Sequence, residues 1–367
     1  MRKLRVLFSI ALPFIVVCGC AADIGYLWKQ GGYLLKYGSG AKKIEKLLTD
    51  AGTPEDTRRF VSLVSEIKRF AVARVGLKEN GNYAAYRETD RDYMADVVQA
   101  CDAVSFSPYY WNYPFLGKLP YKGFYERADA DAEAERLRKE GYDVIVRKVD
   151  AFSTLGFFPD HVYSFMEEYS AFDLANLIIH EQTHATVFLK GQTQFNEELA
   201  GFVGQEGALE FLRGRYGTDS EVYREAVRGI ADSDVFLEFL RRLRGALETV
   251  YEGRISRDEK LERKKEIIAA AKNEFKAEVV PLFQTEGYRA SGELSINNAY
   301  ISLYDLYTGD ALLLQSYFSA VCGSDLAGFM RRITVLAKSG GDVRESMSKG
   351  LGAAMESGAA DGTSRWN

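Results

Sequence analysis

The sequence predicts an α+β protein, mainly α. A small mixed α/β part of about residues 20–169 precedes a helical part of about 170–338. Three observations carry this reading. Strand-like apolar patterns occur before residue 150, at about Tyr93–Phe106 and Tyr142–Val149. From about Ser170 onward nearly all apolar spacing is helical. A chain of 367 residues with 47% hydrophobic and 27% charged residues has an ordinary globular composition and can bury a sizeable core. The net charge of −5, with Lys and Arg interleaved among acids, gives no basic face for a nucleic-acid partner.

The first element is a leader. Arg2, Lys3 and Arg5 form a basic segment, and an apolar stretch runs from Val6 to Val17. Val17-Cys18-Gly19-Cys20 follows. A small residue directly before a cysteine resembles the lipobox of bacterial lipoproteins, although Cys18 departs from the commoner choices two places before the cysteine. By that resemblance residues 1–19 are a signal peptide and Cys20 carries lipid. The protein would then be exported and anchored to a bacterial membrane, in the periplasm or at the cell surface. The apolar run is short for an uncleaved membrane span. Cys101 and Cys322 remain; in an exported protein they could pair, or persist as buried thiols.

Thr53-Pro54-Glu55-Asp56 is a helix start, with a Thr cap, Pro in the first position and acids in the first turn. That helix runs to about Val75 and stops near Gly76. After the first strand comes a Pro/Gly/aromatic stretch, Trp111–Gly117, and then a helix near Asp129–Glu140 closed by Gly141. In the helical part, segments near Arg257–Ala277 and Ile296–Tyr307 are the clearest. Residues 339–367, rich in Gly, Ala and Ser toward the end, read as a loose tail.

The chemistry sits at the join of the two parts. Ile178-Ile179-His180-Glu181-Gln182-Thr183-His184 contains His-Glu-x-x-His. On a helix, positions i and i+4 share a face, so both imidazoles reach one metal ion. Glu181 lies beside them and can act as general base toward an attacking water. Ser170 and Asp173 supply an N-terminal cap pair, and Gly191 a stop. The chain has three histidines, and two of them fall in this pattern. A third ligand is expected downstream in Phe195-Asn196-Glu197-Glu198-Leu199-Ala200-Gly201. A second helix folded back antiparallel levels Glu197 with His184, Ala200 with Glu181 and Gly201 with His180. Glu198 then points about 100° away.

His-Glu-x-x-His followed by Asn-Glu-x-x-Ala resembles the gluzincins, zinc peptidases whose third ligand is a glutamate, here Glu197. Tyr121-Lys122-Gly123-Phe124-Tyr125, Ala151-Phe152-Ser153-Thr154-Leu155-Gly156-Phe157-Phe158 and Asn297-Asn298-Ala299 are similar to segments of a bacterial family of predicted aminopeptidases. That resemblance spans about Ala22 to Lys338. It implies a zincin-like fold with the His-Glu-x-x-His helix at the join, a zinc cofactor, and hydrolysis of peptides with a free amino terminus. Asp160-His161 and Gly204 depart from the family's pattern.

The expected site is therefore His180, His184 and Glu197 on zinc, with Glu181 as base. Tyr300, Tyr304, Tyr307 and His161 are candidate donors to the oxyanion. Ser153, Thr154 and Gly156 are expected to line the peptide cleft, where backbone groups could hold an extended strand, and Asn298 is assigned to substrate binding. Two other readings stand beside this one. One is an endopeptidase on the same site. The other is a non-catalytic surface lipoprotein that binds a partner or solute, against which the intact Glu181 argues.

Overall fold

A computed structural model of the chain describes residues 40–113, 117–149, 160–289, 296–305 and 310–356, together with Gly25, Tyr26, Lys29, Gly32 and Tyr33. The chain divides into two units, Met1–Ser39 and Gly40–Asn367. The five described residues of the first unit are helical. No helix among the described residues is long and apolar enough to cross a membrane.

In the second unit the elements run in chain order as follows. Strand β1 (Lys42–Lys43) leads into helices α1 (Ile44–Thr49) and α2 (Glu55–Phe70). Strands β2 (Ala85–Arg87), β3 (Ala95–Asp102), β4 (Trp111–Tyr113), β5 (Gly117–Leu119) and β6 (Lys122–Phe124) follow. Helix α3 (Arg127–Lys139), β7 (Tyr142–Val149) and β8 (Val162–Tyr163) complete the mixed part. The rest is helical: α4 (Ala171–Thr186), α5 (Thr193–Tyr216), α6 (Glu221–Glu252), α7 (Arg257–Glu274), α8 (Asn298–Asp305), α9 (Ala311–Ala320), α10 (Leu326–Lys338) and α11 (Val343–Glu356). The protein is mainly helical with small sheets, an α+β arrangement.

The sheets are β1-β2-β8, β6-β3-β7 and the pair β4-β5. Strand β3 pairs antiparallel with β7 from Ala95↔Val149 to Asp102↔Tyr142. Seven of its eight residues are buried, the polar Asp96 and Gln99 among them. Helices α3 and α8 both pack on β3 and β7. The 32-residue α6 repeats Phe236, Phe239, Leu240, Leu243 and Leu247 along one face. That stripe, with Phe275, Val279, Phe283 and Ile301, forms an apolar cluster.

Several boundaries shift from expectation. Helix α2 begins with Pro54 as its cap, not Thr53, because the Arg58 N–H donates to the Pro54 carbonyl at 2.9 Å. It continues as a wider π turn over Ala71–Val75 and ends on Gly76, whose φ of +79° suits a residue without Cβ. The stretch expected as a loose tail contains α11, with Val343 and Met347 buried, so packing extends past residue 339. Cys101 and Cys322 are both free thiols.

Candidate metal centre

Helix α4 begins as its sequence dictates. The Ser170 hydroxyl accepts from the Asp173 N–H at 3.1 Å and donates to the Asp173 carboxylate at 2.6 Å. Leu174, Ile178 and Ile179 are fully buried and turn the histidine face toward α5. The helix stops at Thr186, five residues before the expected Gly191. Asn196 then stitches the connecting link. Its side chain accepts from the Leu189 N–H at 2.9 Å and donates to the Leu189 carbonyl at 2.8 Å. The Asn of the Asn-Glu pair thus shapes the turn, and Glu197 follows it into the site.

The two helices lie close because glycine faces them. A Cβ on Gly204 would sit 2.5 Å from Asn176 Oδ1 and 3.2 Å from His180 Cβ, and one on Gly207 would press on Ile179. Gly204 therefore has no room for a side chain larger than hydrogen. The close approach to His180 falls at Gly204, three residues after the Gly201 that the antiparallel register predicts. Glu197 nevertheless arrives where expected. Its oxygens lie 3.5 Å from His184 Nε2 and 3.6 Å from His180 Nε2. The two Nε2 atoms are 3.1 Å apart. Among the described residues these three form the one group of His, Cys, Asp or Glu able to hold a metal ion, with all donor atoms within 4.8 Å.

Electrostatics fit a cation there. Burial pulls His180 down, but Glu197 and Glu181 outweigh it and hold its pKa above the ordinary value. Burial and the neighbouring His180 charge lower His184 to about 4. Burial alone would raise Glu197, yet its contact with His180 and the charges of His184, His180 and Arg147 keep it below the usual carboxylate range. Glu181 behaves oppositely: burial pushes it up to about 7. Its Oε2 is buried with no hydrogen-bond partner. A buried carboxylate oxygen left unsatisfied is costly, and such groups mark functional positions.

Residues distant in sequence complete the surroundings. Glu197 and Glu181 both act on the half-buried Tyr121 phenol, whose pKa is raised first by burial and then by the Glu197 charge. The charge of Arg147 on β7, whose Nε donates to Gln99 Oε1 at 2.9 Å, acts on the same phenol and on Glu197. Asp160 and Tyr83 feel the charge of Glu181 or impose theirs on it. Reasoning from spacing missed Tyr83, Asp160, Tyr121 and Arg147, because no local pattern ties them to α4.

Other expected site residues are not brought to this centre. Asn298 is fully buried and its side chain is fully engaged. Its amide donates to the Asp102 and Ser105 carbonyls at 2.9 and 3.0 Å, and its oxygen accepts from Tyr251 at 2.8 Å. It joins α8 to β3 and α6 and cannot meet a substrate, which corrects its assignment to substrate binding. Tyr304 packs edge-on against Phe236 and meets the Tyr300 hydroxyl at 3.4 Å, within the apolar cluster of α6. Neither of these contacts leads to the histidines; the Arg147 charge acts on Tyr304 as it does on Tyr121. Tyr307, Ser153, Thr154, Gly156 and Cys20 lie outside the described residues.

The fold and this cluster define a mainly helical α+β protein with two histidines and one glutamate placed so that they could hold a metal ion. A family model described as "Putative aminopeptidase" matches residues 25–347, and the chain belongs to that family. No curated protein and no solved structure matches the chain.

Proposed function

We propose that the protein is a zinc-dependent aminopeptidase with a zincin-like active site of the gluzincin kind. The observation that carries this reading is the cluster of His180, His184 and Glu197, with the unpartnered Oε2 of Glu181 one residue away in sequence. The donor set suits zinc: two imidazole nitrogens and one carboxylate, with a further position left for water or substrate. When bound, zinc acts as a Lewis acid that activates water and polarises a carbonyl oxygen.

The chain's own residues do the rest. Glu181 Oε2 takes a proton from the attacking water and passes it to the leaving amine. A pKa near 7 suits a group that must first accept and then donate. Tyr121, held neutral by its raised pKa, and the Arg147 guanidinium stand on the Glu197 side as donors toward a developing oxyanion. His180 must give up its proton before it serves as a ligand.

The test uses soluble protein from Ala21 onward, as wild type and Glu181→Gln, with mixed free and N-acetylated peptides read by mass spectrometry. Release of single amino-terminal residues from free peptides, reduced about thousandfold in the variant, is expected. Internal cleavage of both peptide sets would make it an endopeptidase instead.

The leader supports a second proposal: Cys20 is lipidated and holds the mature protein on a bacterial membrane. Cys20→Ser should then move the full-length protein from the membrane fraction to the soluble one. Unchanged fractionation would refute the anchor.

A further inference from the structure

This inference rests on the peptidase reading and concerns the group its substrate must carry. Asp160 stands just before β8, beside Asn82 and Tyr83 of the segment that leads into β2. The Tyr83 N–H donates to the Asp160 carbonyl at 2.6 Å. The Asp160 N–H donates to Asn82 Oδ1 at 3.3 Å. Tyr83 is 1% exposed and adopts a φ of +54°. A bulky residue in that left-handed region is strained, and such strain gathers at functional sites. The backbone of Asp160 is thus held on both its N–H and its carbonyl.

Its side chain is held by nothing comparable. Among the described residues no hydrogen bond or ion pair reaches the Asp160 carboxylate. Burial alone pushes it up to about 6, so at neutral pH it is largely ionised. Asp160 is partly buried, and the fully buried acids are treated differently. Asp232 accepts from the Gln284 and Thr285 N–H groups and from the Thr285 hydroxyl. Asp96 accepts from Tyr93 and pairs with Arg127. A second independent sign lies beside Asp160. The Tyr83 hydroxyl is buried with no partner, within reach of the charges of both Asp160 and Glu181. A carboxylate without a partner, joined through its backbone to Tyr83, whose buried phenol also lacks one, suits a small cation with several N–H donors.

We propose that Asp160 binds the free α-ammonium group of the peptide substrate, with the Tyr83 phenol oxygen as a second acceptor, so that the site takes amino-terminal residues and rejects blocked ones. The chemistry follows from bond lengths. The α-ammonium nitrogen lies only two bonds from the scissile carbonyl of its own residue. Fixing it close to Glu181 therefore fixes cleavage after the first residue. An acetylated terminus is neutral, leaves Asp160 without a cation and fits poorly.

The test compares zinc-loaded wild type, Asp160→Asn, Asp160→Glu and Tyr83→Phe, with zinc content and circular dichroism checked in each. The probes are alanine, leucine and lysine p-nitroanilides and their N-acetylated forms, plus calorimetric binding of leucinamide and N-acetyl-leucinamide. Asp160→Asn should raise KM for the free substrates by on the order of a hundredfold, more than it lowers kcat, and weaken leucinamide equally. Asp160→Glu should recover part of this, and zinc content should not change. Equal wild-type cleavage of free and acetylated forms would overturn the proposal. So would an Asp160→Asn defect confined to kcat. If wild type cleaves nothing but Asp160→Asn still weakens leucinamide binding, the ammonium site stands and the peptidase reading falls. If wild type neither cleaves nor binds leucinamide, both fall.

Discussion

Two regions of this protein bury charged and polar groups, and they treat them in opposite ways. Around β3, β7 and α8 each such group is matched. The Lys264 ammonium donates to the Ala103 carbonyl at 2.9 Å and pairs with Asp143. Asp143 also accepts from the Asn298 N–H at 2.7 Å, and the Asn298 side chain is fully engaged. Between α4, α5 and the loops before β2 and β8, the Glu181 Oε2 and the Tyr83 hydroxyl are buried without partners. The first region spends its polar groups on the fold. The second leaves them without partners, at a cost in stability.

Breaking the matched region should give the largest effect on stability. Lys264→Ala strands the Asp143 carboxylate among buried neighbours and should cost about 3–5 kcal/mol. Denaturant unfolding measures this, and zinc bound per folded molecule should stay constant. A loss below about 1 kcal/mol would mean that the pair contributes little and the contrast is overstated.

The unmatched region should respond in the other direction. In metal-free protein, burial holds the Glu181 pKa at about 7, against an ordinary value of 4.5. A raised acid means the folded state holds the proton more tightly than the unfolded one. Ionising Glu181 therefore costs the fold increasingly as pH rises from about 4.5 through 7. Glu181→Gln escapes that cost, so its stability relative to wild type should grow over this window, to about 3 kcal/mol at most above pH 7. Melting curves at pH 5 and pH 8 check this; an equal difference at both would sink it.

His180 gives a third contrast. Its pKa is raised in the metal-free protein, so the proton competes with metal. Zinc affinity should fall as pH is lowered, and zinc binding should release protons. Calorimetry in buffers of different ionisation enthalpy measures both. Proton release near zero would show that His180 is already neutral.

The smallest expected effect tests how the outer helices brace the site. Arg344 of α11 pairs with Asp310, donates to Gln192 Oε1 at 3.2 Å and lies 4.9 Å over the Phe195 ring, two residues from Glu197. Arg344→Gln should cost about 1 kcal/mol of stability and weaken zinc binding a few-fold. Unchanged zinc affinity would make α11 a lid on the core only.

Local periodicity made the centre of the site readable. His180, Glu181 and His184 lie on one helix, where a 3.6-residue turn leaves no choice about neighbours. Glu197 was reachable because a short link forces α5 to return antiparallel to α4. The register of that return was less accurate: Gly204, not Gly201, meets His180, since side-chain volume at Asn176 and Ile179 sets the close approach. The strands β3 and β7 and the helix α3 were likewise legible from their own patterns and caps. Asn298 was misread because its short motif carries no sign of whether it faces a cleft or the core. Only the packing of α8 against β3 and α6 decided that, by burying it beneath Asp102, Ser105 and Tyr251. Tyr83, Asp160, Tyr121 and Arg147 reach the site from four separate segments. Helical spacing acts over a few residues, whereas the meeting of those segments depends on how sheets and helices bury their apolar faces together. The sequence by itself therefore determined the helix that carries His180, Glu181 and His184 on neighbouring turns; the tertiary structure alone decided which acid, phenols and guanidinium surround them.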